Sequence, residues 1–326
     1  MSSIPVIDLA SFRGGDVAEQ RRVARQMDET CRDIGFFCVA GHNISDELAS
    51  AMRTTAMALF RGDPETKAQV RQPSADTIRG FIGYGSAALG ITRGVETPPD
   101  WKETFSIGPV DVDEVDPYFT APASRNHFAA NLWPQIPDFQ PVWTAYFHQM
   151  TRVSNEIMRL FARALDLEKD FFARSIDRHI SVLSAMYYPH QDSPPKPGQL
   201  RAGAHTDFGT MTILKPDLAP GGLQVQSKSG EWLPVRAPTG TLVVNIGDMM
   251  ARWTNDRWVS TLHRVVNPPA DIKVGTERLS IGFFHHPNYD ALIECLPSCQ
   301  DAELGVMHTP VMAGDHLYDQ FSSQAL

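Results

Sequence analysis

Near residue 178 the apolar pattern of this 326-residue chain changes period, and that change limits what it can fold into. Before it, within 138–166, Phe139, Trp143, Tyr146, Met150, Val153, Ile157, Leu160 and Ala164 recur in steps of four and three, forming one stripe of a long helix. An aromatic and methionine stripe at that spacing is core rather than cofactor box, so this helix is expected to be structural support. After it, the runs 180–188, 202–214, 222–227, 241–246, 262–267 and 278–286 are β-branched or aromatic, separated by turn sequences such as SPPKPG, APGG, SKSG and APTG. Short strands so spaced predict a sandwich or barrel of the jelly-roll kind. The expected fold class is mainly β with flanking helices: a jelly-roll barrel buttressed by an α-helical N-terminal region. No flexible linker marks the change, so 1–326 is read as a single folding unit.

The first 70 residues predict a strand at Ile4 to Leu9, then a helix capped by Asp16 with Val23, Met27 and Ile34 on one face, stopped by Gly35. Phe36, Phe37, Cys38 and Val39 read as a buried strand ended by Gly41. Ser45 can cap a second helix carrying Leu48, Met52, Leu59 and Phe60, closed before Pro64. The stretch 80–94 holds five glycines and no periodicity; it reads as an open loop or as a lid over a substrate.

Composition narrows the function. With 42% hydrophobic and 21% charged residues the chain is an ordinary globular protein, neither disordered nor collagen-like. A net charge of −9 with no basic run argues against nucleic acid as a partner. The opening MSSIPVIDLASF has no basic segment leading into an apolar one, and no apolar run reaches about 18 residues, so neither secretion nor membrane spanning is expected. Cys31, Cys38, Cys295 and Cys299 lack metal-type spacing and read as reduced thiols, which suits a cytoplasmic protein.

The chemistry concentrates in RAGAHTDFGTMTIL. On a strand, residues two apart share a face, so His205 and Asp207 would address one point in space. Such a pair is common by chance: a second, His190-Gln191-Asp192, leads straight into SPPKPG, where no strand fixes its geometry. His263, in the β-type run STLHRVVNP, is the preferred third ligand. His285 and His286 are rivals, but adjacent strand residues point opposite ways and Pro287 follows at once. Two imidazoles and a carboxylate on one side of a metal leave positions open, the facial arrangement of non-haem Fe(II). Zinc could use the same ligands, but closed zinc sites usually include cysteine, and none lies near. In RLSIGFF, Arg278 and Ser280 share a strand face and together could hold a carboxylate.

From YYP through GAHTDFGTMTIL, GGLQV, GEWLPV, GTLVVNIGDMM and LHRVVNP to RLSIGFF, the chain resembles the catalytic barrel of the isopenicillin N synthase-like class of Fe(II)/2-oxoglutarate-dependent dioxygenases. IPVIDL, CRDIGFFCVAGHNIS, RGFIGYG and DWKETFSIG are similar to the amino-terminal region of that class. The resemblance implies a double-stranded β-helix core at 178–290, an N-terminal non-haem dioxygenase region at 1–120 and a C-terminal segment at 291–326. It implies that His205, Asp207 and His263 ligate iron, that Arg278 and Ser280 bind the distal carboxylate of 2-oxoglutarate, and that Tyr188 hydrogen-bonds this cosubstrate. Asn245 and Asp248 match a turn that looks structural. Met186 replaces an asparagine common in plant members, and the longer His263-to-Arg278 spacing suggests a longer hairpin.

The implied reaction consumes O2 and 2-oxoglutarate, releases succinate and CO2, and hydroxylates, desaturates or cyclises a small molecule. An oxidase that dispenses with 2-oxoglutarate carries the same motifs, and a binding protein that kept the barrel without chemistry is the remaining rival. No readable code names the substrate; the expected pocket walls are 80–94, 101–105 and the segment after Pro287. Oligomeric state is not legible.

Overall fold

The computed structural model describes residues 4–74, 76–84, 98–190, 195–217, 219–272, 274–300, 303 and 305–322. Strands β1 (Val6–Asp8), β2 (Phe36–Ala40), β3 (Gly80–Ile82) and β4 (Glu103–Ile107) precede the long helix, and β5 (Val182–Tyr188), β6 (Ala202–His205), β7 (Met211–Lys215), β8 (Gly222–Gln226), β9 (Trp232–Pro234), β10 (Leu242–Ile246), β11 (His263–Val266), β12 (Arg278–His285), β13 (Leu292–Ile293) and β14 (Val311–Met312) follow it. The helices are α1 (Leu9–Gly14), α2 (Val17–Asp33), α3 (Asp46–Phe60), α4 (Pro64–Gln69), α5 (Pro117–Thr120), α6 (Phe139–Ala164), α7 (Ala173–Ile176), α8 (Asp248–Trp253) and α9 (Ala313–Ser322).

An eight-stranded sheet in the order β1-β2-β10-β7-β12-β5-β4-β3 opposes a four-stranded sheet in the order β6-β11-β8-β9. The alternation of side chains divides the large sheet cleanly. One face sends Leu183, Ala185, Tyr187, Leu279, Ile281, Phe283, Ile213 and Val244 into a core shared with α6. There Phe105 meets Trp143 edge-on at 5.1 Å, and Phe147 meets Phe283 at 5.2 Å. The other face looks across to the small sheet, where Phe36, Cys38 and Val243 pack with Val225, Leu223 and Leu233. Burying each large apolar side chain contributes about 1.5–3 kcal/mol, so the α6 stripe alone is a large share of the stability.

The expected helix caps are present: Asp16 Oδ1 accepts from Glu19 N at 2.9 Å and Ser45 Oγ from Leu48 N at 3.2 Å. All eight residues of the α6 stripe are buried, and β2 is buried because it lies between β1 and β10. All four cysteines are buried and unpaired. No helix among the described residues is long and apolar enough to cross a membrane.

Several expectations need correction. The strand placed at Ile4 to Leu9 ends at Asp8, whose carboxylate caps α1 through Ala10 N at 2.9 Å. The run 202–214 is two strands, interrupted at 206–210, so Asp207 is not on a strand. Gly80 begins β3 rather than a loop; Gly83 and Tyr84 follow it outside any strand, and 85–94 of the expected lid lies outside the described residues. Phe105 is no pocket wall; it faces α6. The segment joining β11 to β12 is not a hairpin, because those strands belong to opposite sheets.

Candidate metal centre and cosubstrate pocket

His205 closes β6 and His263 opens β11, and the two residues are directly paired across those strands. Their rings lie 4.4 Å apart, and each Nε2 stands 3.7 Å from Asp207 Oδ1. One donor atom from each residue lies within 4.8 Å of the others, and this is the group of three found among the described residues. The remaining atoms are already engaged. His205 Nδ1 sits 2.7 Å from Gly203 O and His263 Nδ1 3.1 Å from Thr261 O, so each Nδ1–H donates to a carbonyl and leaves the Nε2 lone pair free. Asp207 Oδ2 accepts from Thr212 Oγ1 and, at 2.7 Å, from Asn245 Nδ2, which turns Oδ1 toward the imidazoles.

Burial opposes the charge of Asp207, yet the facing His263 and His205 with the Asn245 and Thr212 bonds hold its carboxyl below the usual range. Burial, and then His263, pull His205 down to about 4, which keeps its ring neutral and able to coordinate.

Asp207 is carried by a turn instead of a strand, and a second turn clasps it. Asp248 N donates to Asp207 O at 2.7 Å and Gly247 N to Thr210 O at 3.0 Å. A Cβ on Gly247 would stand 2.3 Å from Gly209 O, and one on Gly209 2.3 Å from His285 O, so both turns need glycine. The NIGD segment, expected to be only a turn, therefore holds Asp207 in two ways, through Asn245 and through this clasp.

The expected cosubstrate residues gather beside the triad. Tyr188 ends β5 opposite Arg278, and Met186 opposes Ser280. All but the partly buried Met186 are buried, and Tyr188, Ala202 and Val265 form a small apolar cluster with Met186 and Leu223 that joins the two sheets there. Arg278 Nη1 donates to Asp217 O at 2.8 Å, while its Nε has no partner among the described residues. Gly222, at φ +121°, makes room for the guanidinium: a Cβ there would lie 3.0 Å from Nη1. A buried cation with an idle N–H, beside an open set of two imidazoles and one carboxylate, fits iron with an anionic cosubstrate.

Two further cations border this pocket. Lys102 pairs with the buried Asp100 at 3.1 Å, and Asp100 Oδ1 accepts from Gly203 N at 3.0 Å, beside His205. Arg201, fully buried, lies just before β6. Lys102 falls within the expected wall 101–105, whereas Arg201 is not among the expected site residues; a charge within the strand-like RAGAH run was its available signal. The rejected and rival histidines stand outside the triad, although His285 and His286 border the turn that carries Asp207. His190 bonds Thr276 Oγ1 at 2.6 Å, and Asp192 lies outside the described residues. His285 Nδ1 bonds Thr210 Oγ1 at 2.6 Å while its ring packs near His179 on the α6 side.

Known families match along most of this architecture. Residues 4–136 match the model described as non-haem dioxygenase in morphine synthesis N-terminal, and residues 179–287 match the 2OG-Fe(II) oxygenase superfamily. A relative named 2-oxoglutarate-Fe(II) type oxidoreductase hxnY, from Emericella nidulans, is 32% identical over 95% of this chain and 87% of its own. The chain belongs to the 2-oxoglutarate–Fe(II) oxygenase superfamily. This oxygenase is also 33% identical to the Validamycin A dioxygenase of Streptomyces hygroscopicus subsp. limoneus, over 82% of this chain and 73% of that one. A Neurospora crassa structure in complex with alpha-KG and thymine superposes with a TM-score of 0.86 at 29% identity, covering 98% of this oxygenase and 96% of that chain. The fold is the jelly roll of these oxygenases, and the activity is that of a 2-oxoglutarate-dependent oxidoreductase using Fe(II) and O2.

Proposed function

We propose that this oxygenase holds Fe(II) through His205, Asp207 and His263, binds the distal carboxylate of 2-oxoglutarate with Arg278, Ser280 and Tyr188, and hydroxylates a small organic molecule. Desaturation and ring closure are variants of the same outcome. The observation that carries the reading is the triad: three donor atoms within 4.8 Å, each aimed by a bond on the opposite side of its group.

When bound, iron supplies the oxygen chemistry that splits 2-oxoglutarate into succinate and CO2 and oxidises the second substrate. The chain's own residues do the rest. Gly203 O and Thr261 O fix the imidazole tautomers, and Thr212 with Asn245 fixes the carboxylate. Arg278, desolvated and wedged beside Gly222, presents positive charge to a carboxylate in a water-poor pocket, where such a pair is strong. The Tyr188, Ala202 and Val265 cluster covers the apolar middle of a five-carbon diacid. Small heterocycles such as thymine, bound by the Neurospora crassa relative, are the first compounds to screen. The four buried, unpaired thiols support work in the reducing cytoplasm.

Anaerobic Fe(II) titration tests the triad: His205→Ala and His263→Ala lose stoichiometric binding and His190→Ala keeps it. Succinate released per O2 consumed tests the coupling, and oxygen uptake without succinate would overturn it.

A further inference from the structure

One buried cation of the pocket has no place in that assignment. Arg201 is fully buried; its Nη1 donates to Pro220 O at 3.0 Å, its Nη2 donates to Thr276 O, and its Nε has no partner among the described residues. Its guanidinium carbon lies 5.8 Å from the centre of the Tyr188 ring. Arg278 reaches the same connecting segment, through Asp217 O at 2.8 Å and Ala219 O at 3.4 Å. Burial, and then Arg278, bring Arg201 down to about 10, so it remains charged at neutral pH. The acid that faces both arginines is Asp217, and its carboxylate is engaged by Arg53 at 2.8 Å and Leu279 N at 3.1 Å. Two like charges thus share a desolvated corner with carbonyl oxygens as their bonded partners. Burying charge without a counter-charge is costly, so a corner built this way suits an incoming anion.

We propose that Arg201 is a positioning residue for the cosubstrate, adding positive potential and steadying the Tyr188 ring so that the pocket prefers a 2-oxo acid with a second, distal carboxylate. This rests on the assignment of Arg278, Ser280 and Tyr188 to that carboxylate. An Arg201 that merely ties Pro220 to Thr276 would support all 2-oxo acids alike. One that acts through charge and through Tyr188 discriminates between the dianion and a monoanion.

The test is anaerobic calorimetry on the Fe(II)-loaded protein with 2-oxoglutarate and with 2-oxobutyrate, which has the same chelating end and no distal carboxylate. In Arg201→Gln, 2-oxoglutarate binding weakens roughly tenfold or more, the size of one nearby charge at an intermediate dielectric, while 2-oxobutyrate changes less than about twofold. Arg201→Lys keeps the charge without the planar fork and retains most of the preference. Equal losses for both acids, or no loss for either, overturn the proposal; a Lys variant that loses both acids equally does so even if the Gln variant does not fold. Arg278→Ala separates the two assignments. If it abolishes the preference and Arg201→Gln leaves it intact, Arg201 alone is wrongly placed. If Arg278→Ala leaves the preference intact, the carboxylate assignment itself fails.

Discussion

Asp207 divides its work between two oxygens. Oδ1 stands 3.7 Å from each imidazole Nε2, while Oδ2 is held by Thr212 and Asn245. Removing the Asn245 amide frees the carboxylate to rotate, so Asn245→Ala lowers Fe(II) affinity by about 10–100-fold, the usual effect of losing such an orienting partner. Anaerobic calorimetry reads this directly, and wild-type affinity in the variant would show that Thr212 suffices. Arg278 stands on a different footing, since its loss removes the charge partner itself. Arg278→Ala weakens 2-oxoglutarate binding by about 3–5 kcal/mol, as for breaking a buried pair; unchanged affinity would refute the assignment. These residues differ in how far the sequence discloses them. His205, Asp207 and His263 are legible as ligand types in ordered motifs. Asn245 reads as a turn residue, because its reach to Asp207 depends on β7 and β10 lying side by side, which no local pattern encodes. Arg201 is hidden for a similar reason: its significance comes from Tyr188 and Arg278, 13 and 77 positions away.

At the scale of elements, Asp207 in the candidate metal centre hangs on two interlocked turns rather than on a strand. The turn 206–210 is gripped by the β10–α8 junction through Asp248 N and Gly247 N. A methyl group on Gly247 would meet Gly209 O at 2.3 Å and Asp207 O at 3.0 Å, both backbone atoms that can yield only by moving Asp207. Gly247→Ala therefore destabilises the fold by about 1–3 kcal/mol, an overpacking cost, and weakens Fe(II) binding in parallel. Urea denaturation and iron titration check the pair of effects. Gly14→Ala, where nothing lies within 4 Å, is the neutral comparison. The same clasp explains a misread element. Thr206, Phe208, Thr210 and Met211 have strand composition, so periodicity carries 202–214 through as one run; the break is imposed from outside by the NIGD turn. The α6 stripe is legible because one periodic face decides it, and strands β5, β10 and β12 because they are apolar runs buried on both faces and bounded by turn sequences. Helix α1 is not, because Asp8 is both the end of β1 and the cap of α1.

Across the whole molecule, the large sheet takes strands from both sides of α6, with β3 and β4 on one edge and β1 and β2 on the other. Its α6 side and the ends of its strands enclose imidazoles outside the candidate triad. Burial draws His127 and His179 down to about 4 and His286 to about 3, and it takes His285 well below its ordinary value. The sign follows from comparing folded and unfolded chains. At about pH 8 and above all four rings are neutral in both states and contribute no pH dependence. As the pH falls below the unfolded value of about 6.5, the unfolded chain takes up protons that the folded one refuses, so stability declines until the folded values are reached. A ring held at about 4 costs about 3 kcal/mol once that range has been crossed. The metal-free protein is therefore expected to lose stability steadily between about pH 6.5 and 4, before the lowered carboxylates such as Asp217 and Asp28 add their share at still lower pH. Urea denaturation at several pH values in this window measures the slope. Replacing one ring, as in His286→Asn, removes one proton from the difference and makes the decline shallower. A stability that stays level from about pH 7.5 to 5 would mean that these imidazoles gain solvent or partners in solution, and the linkage to acid unfolding would fail.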